Sequence, residues 1–310
     1  MENVNSLFNR DGAKRLRDRT VNMDSERGQR LAGGLYKQFN ELHSIDFYPK
    51  EQVERILLRQ MEKEIDTSRD YIENKPNDLI CFSPSGVAKC KRELIYKATK
   101  MPKDEIIRYP YQHRWTRNSS AVHGAVQRDL LYMPHVLDNP MFTVHMLEDG
   151  LPAWENNIKK FKQIHHNGQD FLLYGMMDGI LEYKADGSLI GFEFKTKSTT
   201  IGCVGSYKMK APAEEHILQC TAYSLLFDID EFILMYESVA KDGWMKGKDA
   251  KIDFRTFYHK VTEEDKKALL DKLADVTAMY NKGQLPPKED DKCVFCPYKT
   301  LCKVGADNEN

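Results

Sequence analysis

The chain has 310 residues, a net charge of −1, 30% charged residues and 41% hydrophobic residues, which suits one large domain or a domain with an extension. No apolar run in it approaches the ~20 residues of a membrane span. The near-neutral charge does not advertise nucleic-acid binding, which would have to use a local basic patch or a bound metal.

The start, MENVNSLFNRDGAKRLRDR, is charged and lacks an apolar signal core, so the expectation is a cytosolic (cytoplasmic) protein. Residues 1–75 read as a helical N-terminal extension and 76–310 as the main domain. Arg10, Lys14, Arg15, Arg17 and Arg19 form a basic arm that could touch phosphate, although interleaved acids favour a solvated role. Val53, Ile56, Leu57, Met61 and Ile65 recur at intervals of three or four, predicting a helix over 50–72. Ser83 before Pro84 has the pattern of an N-cap with proline at the first helical position, and the helix it starts would carry Cys90 in a basic cluster. A further capped helix is expected over 118–133, with Ala121, Val122, Ala125, Leu130 and Leu131 on its apolar side and His123 among small residues.

Residues 174–197, YGMMDGILEYKADGSLIGFEFKTK, are the stretch around which the chain is organised. Strands are expected around 171–183 and over 189–196, joined by the turn cluster Ala185-Asp186-Gly187-Ser188. Alternation puts Glu193 and Lys195 on one face and Phe192 and Phe194 on the other. The hairpin can bring Asp178 to that pair. Glu-x-Lys on a strand is commonly a solvated charge pair. Here Asp178 lies in the apolar run from Leu172 to Leu181, and Gly191, Phe192 and Phe194 surround the second motif. Two carboxylates and an ammonium at one point are costly unless used. A divalent cation on oxygen ligands, with the lysine beside an attacking water, is a use that fits. Lys197, Lys208 and Lys210 follow, positioned to track a phosphate backbone or simply to solvate a loop.

An amphipathic helix is expected over 212–228, with Gln219 and Tyr223 four apart on one face. Strands are expected over 230–240 and 252–261. A helix over 262–281 has Glu263, Glu264 and Asp265 in its first turn, an apolar stripe of Leu269, Leu270, Leu273, Val276 and Met279, and Gly283 at its end. This order implies an α/β or α+β core with a mixed sheet flanked by helices. Seven cysteines in a chain without an export signal argue against a disulfide framework. Cys293 and Cys296 have the C-x2-C spacing that lets two sulfurs reach one metal, and Cys302 follows closely. Thiolates suit zinc or an iron–sulfur cluster, and a fourth ligand must come from elsewhere, Cys81 and Cys90 being available.

In order, SPSGVAKCKRELIYK, the His123 helix, Asp178, Glu193-Phe194-Lys195, Gln219-x3-Tyr223 and C-x2-C-x5-C make the chain resemble a PD-(D/E)xK nuclease of the RecB type. The closest pattern is the iron–sulfur branch shared by AddB and the CRISPR-adaptation nucleases. The resemblance runs from about residue 83 to 302, with Met177-Asp178 where the family has Pro-Asp. It implies a restriction-endonuclease-like α/β fold with a mixed central sheet and an Fe–S-clasped C-terminus. By the same resemblance, His123, Asp178, Glu193 and the carbonyl of Phe194 would bind Mg2+ or Mn2+, and Asp178, Glu193 and Lys195 would be catalytic. Gln219, Tyr223 and Lys197 would lie near substrate. Cys90, Cys293, Cys296 and Cys302 would hold a [4Fe–4S] cluster, Cys90 fitting the following Arg/Glu/Tyr pattern better than Cys81. The implied function is a DNA nuclease, by the resemblance more an exonuclease on single-stranded ends, in phage or bacterial replication, recombination or repair, with DNA as single-stranded or duplex ends and replication or recombination proteins as partners. The rivals are a non-catalytic DNA-binding or assembly protein on the same fold, and a structural zinc protein.

Overall fold

The computed structural model describes residues 25–67, 79–289 and 296–306. The predicted basic arm and Cys293 lie outside them. Helix α1 (Glu26–Leu42) is started by Ser25, whose hydroxyl accepts from the Gly28 N–H at 3.0 Å. Leu31, Leu35, Phe39 and Leu42 line its inner face and are fully buried. Helix α2 (Glu51–Thr67) buries Val53, whereas Met61 and Ile65 are exposed, so only the start of the predicted apolar stripe is used. Both helices fall in the predicted extension, yet Leu31, Phe39 and Val53 share one apolar cluster with Phe142, Phe192, Phe194 and Ile233 of the sheet.

After β1 (Cys81–Phe82) the chain turns instead of entering a helix. The N–H groups of Gly86 and Val87 both bond to the Ser83 carbonyl, closing a turn. Helix α3 (Lys91–Ala98) therefore starts later, and Cys90 rather than Ser83 is its N-cap, its sulfur accepting from the Glu93 N–H at 3.3 Å. Helix α4 (Pro110–Val136) is longer than predicted. It starts at Pro110 because proline needs no N–H partner there, and the Gln112 side chain accepts from the Tyr109 N–H at 2.9 Å.

The remaining elements are β2 (Phe142–Val144), β3 (Lys160–His166), β4 (Gln169–Gly175), β5 (Gly179–Tyr183), β6 (Ser188–Lys197), α5 (Glu214–Phe227), β7 (Glu231–Ser238), β8 (Phe254–Lys260), α6 (Glu263–Asn281) and α7 (Lys299–Ala306), with 3-10 turns at Glu155–Ile158, Ile201–Val204 and Trp244–Asp249. They make a mixed α/β fold with two sheets flanked by helices. The larger sheet has the order β2-β5-β6-β7-β8, with β6 and β7 parallel and the other neighbours antiparallel. Helix α5 makes the crossover that a parallel pair requires. The smaller sheet has the order β1-β4-β3. Gln38 of α1 closes the β2 end, exchanging hydrogen bonds of 2.8 Å with the N–H and carbonyl of Phe142.

The single strand predicted over 171–183 is two strands in different sheets. The chain leaves one sheet at Gly175, where a Cβ would lie 2.6 Å from the Pro84 ring, and enters the other at Gly179. The Met177 carbonyl accepts from the Glu155 N–H at 2.8 Å instead of from a ladder partner. Asp178 thus stands at the bend between two sheets.

Candidate active site

The β5–β6 register pairs Gly179 with Phe192, so Asp178 approaches the next residues of β6. The Phe194 N–H donates to Asp178 Oδ2 at 2.8 Å, and Gln127 Nε2 donates to the Asp178 carbonyl at 2.9 Å. Gln127 is one helical turn beyond His123 on α4, so the two share a face. A hydrogen bond of 2.8 Å from the Thr196 hydroxyl to that of Ser119 ties the same helix to β6.

His123 Nε2 lies 3.4 Å from Glu155 Oε1 and 3.8 Å from Asp178 Oδ1. Among the described residues, His123, Glu155 and Asp178 form the one group of ligand-type side chains whose donor atoms all fall within 4.8 Å. Glu155 is held at φ 43°, a left-handed conformation uncommon for a side chain other than glycine. Its neighbour Trp154 is 1% exposed, and the indole N–H donates to Gln60 Oε1 on α2 at 2.7 Å. Sequence reasoning missed Glu155. It belongs to no periodic pattern, and its only signal is an acid directly after the apolar stretch ending in Trp154.

Glu193 is fully buried and ion-paired with Lys195, as strand alternation predicted. Neither Glu193 oxygen has a properly directed hydrogen bond, and His123 Nε2 has none. Burial, then the charge of Asp178, raises the Glu193 carboxyl well above the ordinary carboxylate range. Burial, then Asp178 and Glu64, pushes Glu155 up to about 7. Burial works against the Lys195 ammonium, but Glu193 and Asp178 outweigh it and raise its pKa. Buried carboxylate oxygens with few donors of their own, gathered with a histidine nitrogen, are a ligand set for a hard divalent cation. The residues present therefore fit a divalent cation.

Helix α5 backs this centre. Gln219 and Tyr223 are both buried, and Gln219 Nε2 donates to the Tyr223 hydroxyl at 2.7 Å. The Tyr223 hydroxyl is pushed up by burial and then by the charges of Glu193 and Asp178. Cys220 is fully buried beside Glu193, as expected of an ordinary core thiol. Cys203 is not buried: Thr199 Oγ1 lies 2.7 Å from its sulfur, and the Thr199 and Thr200 hydroxyls lower its thiol to about 7. Lys197 Nζ sits 5.4 Å from the centre of the Tyr236 ring.

Away from this centre, Cys302 is buried with Tyr96 and Tyr298, and Cys296 packs against them. Arg92 Nη1 donates to Cys302 Sγ at 3.8 Å. The Cys90 thiol is pushed up by burial, with Glu289 and Cys296 adding to the effect. Cys81 lies on β1, paired with Leu172.

Buried acids and a strand lysine thus meet at the bend of a mixed sheet. The chain belongs to the PD-(D/E)XK nuclease superfamily, whose family model matches residues 103–303. Among solved structures it is similar to SSO0001, at 16% identity and a TM-score of 0.41, covering 81% of this chain and 95% of that one. It is also similar to an alkaline exonuclease (LHK-Exo) from Laribacter hongkongensis, at 14% identity and a TM-score of 0.40, covering 66% and 91%. The same exonuclease in complex with dAMP matches at 12% identity and a TM-score of 0.40, covering 73% and 93%. No curated protein matches the chain.

Proposed function

We propose that this protein is a divalent-metal-dependent DNA nuclease that hydrolyses phosphodiester bonds, acting as an exonuclease on single-stranded ends. One observation carries the reading: the His123, Glu155 and Asp178 donor atoms converge beside a buried, under-bonded Glu193 paired with Lys195. His123, Asp178, Glu193 and the Phe194 carbonyl would hold Mg2+ or Mn2+, and Glu155 joins them by position. Such an ion supplies Lewis acidity toward a phosphate oxygen and makes a water more acidic. Asp178 is kept in place by the Phe194 N–H and by Gln127. Lys195, held by Glu193, is suited to orient a nucleophilic water and offset phosphate charge. Gln219 and Tyr223, expected near substrate, are both buried and bonded to each other, so we read them as bracing the centre from behind, and Lys197 is suited to contact the backbone of the strand.

We further infer that Cys90, Cys293, Cys296 and Cys302 hold a [4Fe–4S] cluster. It would clasp the C-terminal segment to α3 by closing a loop of about 200 residues, where a cross-link constrains the unfolded chain most. Cys296 and Cys302 pack in one cluster with Tyr96 of α3, the helix that Cys90 caps, which supports this. The setting we infer is DNA replication, recombination or repair in a phage or bacterium, in the cytosol and alongside replication or recombination proteins. The test is digestion of end-labelled single- and double-stranded DNA with Mg2+, Mn2+ or EDTA. Lys195→Ala and Asp178→Ala should abolish cleavage with the fold intact; equal activity in the double variant and the wild type overturns the reading.

A further inference from the structure

The first half of α4 is used by nothing described so far. From Tyr111 to Asn118 every residue is exposed, and Ile107, Tyr109, Tyr111 and Trp115 are 76%, 54%, 56% and 44% exposed. Large apolar side chains are seldom left in water in such a run without a partner. The charge is one-sided: from Ile106 to Arg128 there is no acidic residue, while Arg108, Arg114, Arg117 and Arg128 are basic. Arg108, Arg114 and Arg117 have no acidic partner among the described residues; Arg117 reaches only the Asn118 side-chain oxygen, at 3.3 Å. The Tyr109 and Tyr111 rings stand 6.2 Å apart and 15° from parallel.

The segment is anchored at both ends. Before it, the Asp104 N–H donates to the Pro297 carbonyl at 2.8 Å and the Asp104 carboxylate accepts from the Thr300 N–H at 3.2 Å. After it, Trp115, Ser119 and His123 follow one another at intervals of four, neighbours on the helix surface. Ser119 is already bonded to β6. At 1.5 Å per residue, Trp115 stands about 12 Å along the helix from His123.

We propose that this half-helix is a platform for single-stranded DNA. Bases stack on Tyr109, Tyr111 and Trp115, phosphates pair with Arg108, Arg114 and Arg117, and the strand runs down the helix to His123. Aromatic faces accept any base, but only an unpaired one, and arginines beside them follow the backbone. Duplex DNA keeps its base faces stacked and gains only the phosphate contacts. The proposal rests on the nuclease reading for what happens at the end of the track, but not for the binding itself.

The test is fluorescence anisotropy of a labelled 20-nucleotide oligo(dT) in EDTA, on the full chain carrying Asp178→Ala so that nothing is cut. Tyr111→Ala with Trp115→Ala should weaken binding at least about tenfold and leave binding of a blunt duplex of the same length unchanged. Arg114→Ala with Arg117→Ala should reduce the slope of log K against log salt by about 1.4, two phosphates at about 0.7 each. Tyr48→Ala, a more exposed aromatic outside α4, should change nothing. Wild-type affinity in either double variant overturns the proposal. So does loss of self-association in the aromatic variant with DNA affinity intact, which makes the patch a contact between copies of the chain. If the wild type cuts no DNA under any condition, the nuclease reading fails while the anisotropy still decides the platform.

Discussion

Glu155→Gln should stabilise the metal-free protein at neutral pH and weaken its hold on metal. Burial and the Asp178 charge raise this carboxyl from 4.5 to about 7. At about 1.4 kcal/mol per pH unit, the ionised side chain is about 3 kcal/mol less favourable folded than unfolded. Its side chain is 26% exposed, so little of that is lost to solvent screening. Between pH 4.5 and 7 the folded state holds this proton and the unfolded state does not. Stability from Glu155 is therefore complete below about pH 4.5 and gone above about 7. Glutamine cannot ionise, so the variant lacks that loss, and it also relieves Glu193, which the Glu155 charge pushes up. Urea denaturation in EDTA at pH 5 and pH 8 reads the difference: the wild type should lose about 3 kcal/mol more than the variant. Calorimetry with Mn2+ at pH 8 should show weaker binding in the variant. Because ligands of one site act together, adding His123→Ala should cost less than the sum of the two single losses. An unchanged pH dependence together with unchanged Mn2+ affinity refutes the reasoning.

Each of Cys90→Ala, Cys293→Ala, Cys296→Ala and Cys302→Ala should bleach anaerobically purified brown protein and lower its melting temperature, because cluster binding is coupled to folding. Cys220→Ala and Cys203→Ala should not bleach it, and stoichiometric zinc without iron would remove the cluster. Gly191→Ala should cost about 1–3 kcal/mol by overpacking. Its Cβ would fall far inside contact distance of the Phe232 ring, which is fully buried, and 3.2 Å from Met177 Sδ. Denaturation of Gly191→Ala with Phe232→Leu should recover part of that loss, and strict additivity would show that the two positions do not compete for space.

The sequence determined the pieces whose signals are local. Alternation placed Glu193 and Lys195 on one face of β6 because a strand has a period of two whatever surrounds it. Thr262 and the acids after it marked the start of α6, and the capping box there, with Thr262 and Asp265 bonded to each other's N–H groups, follows from those residues alone. The spacing of Gln219 and Tyr223 likewise gave them a shared helix face, on which the structure joins them by a hydrogen bond. Tertiary structure decided what depends on partners distant in the chain. The apolar run around Asp178 reads as one strand, but Pro84 against Gly175 and Glu155 on the Met177 carbonyl break it between two sheets. Ser83 and Pro84 have the composition of a helix start, yet the Ser83 carbonyl is taken by a turn and Cys90 caps the helix instead. Glu155 carries no pattern at all; the packing of Trp154 against Gln60 and the bend at Asp178 bring it to His123. Periodicity reports which face a residue shares with its near neighbours in the chain, and a metal centre is assembled from residues that are neighbours only after folding.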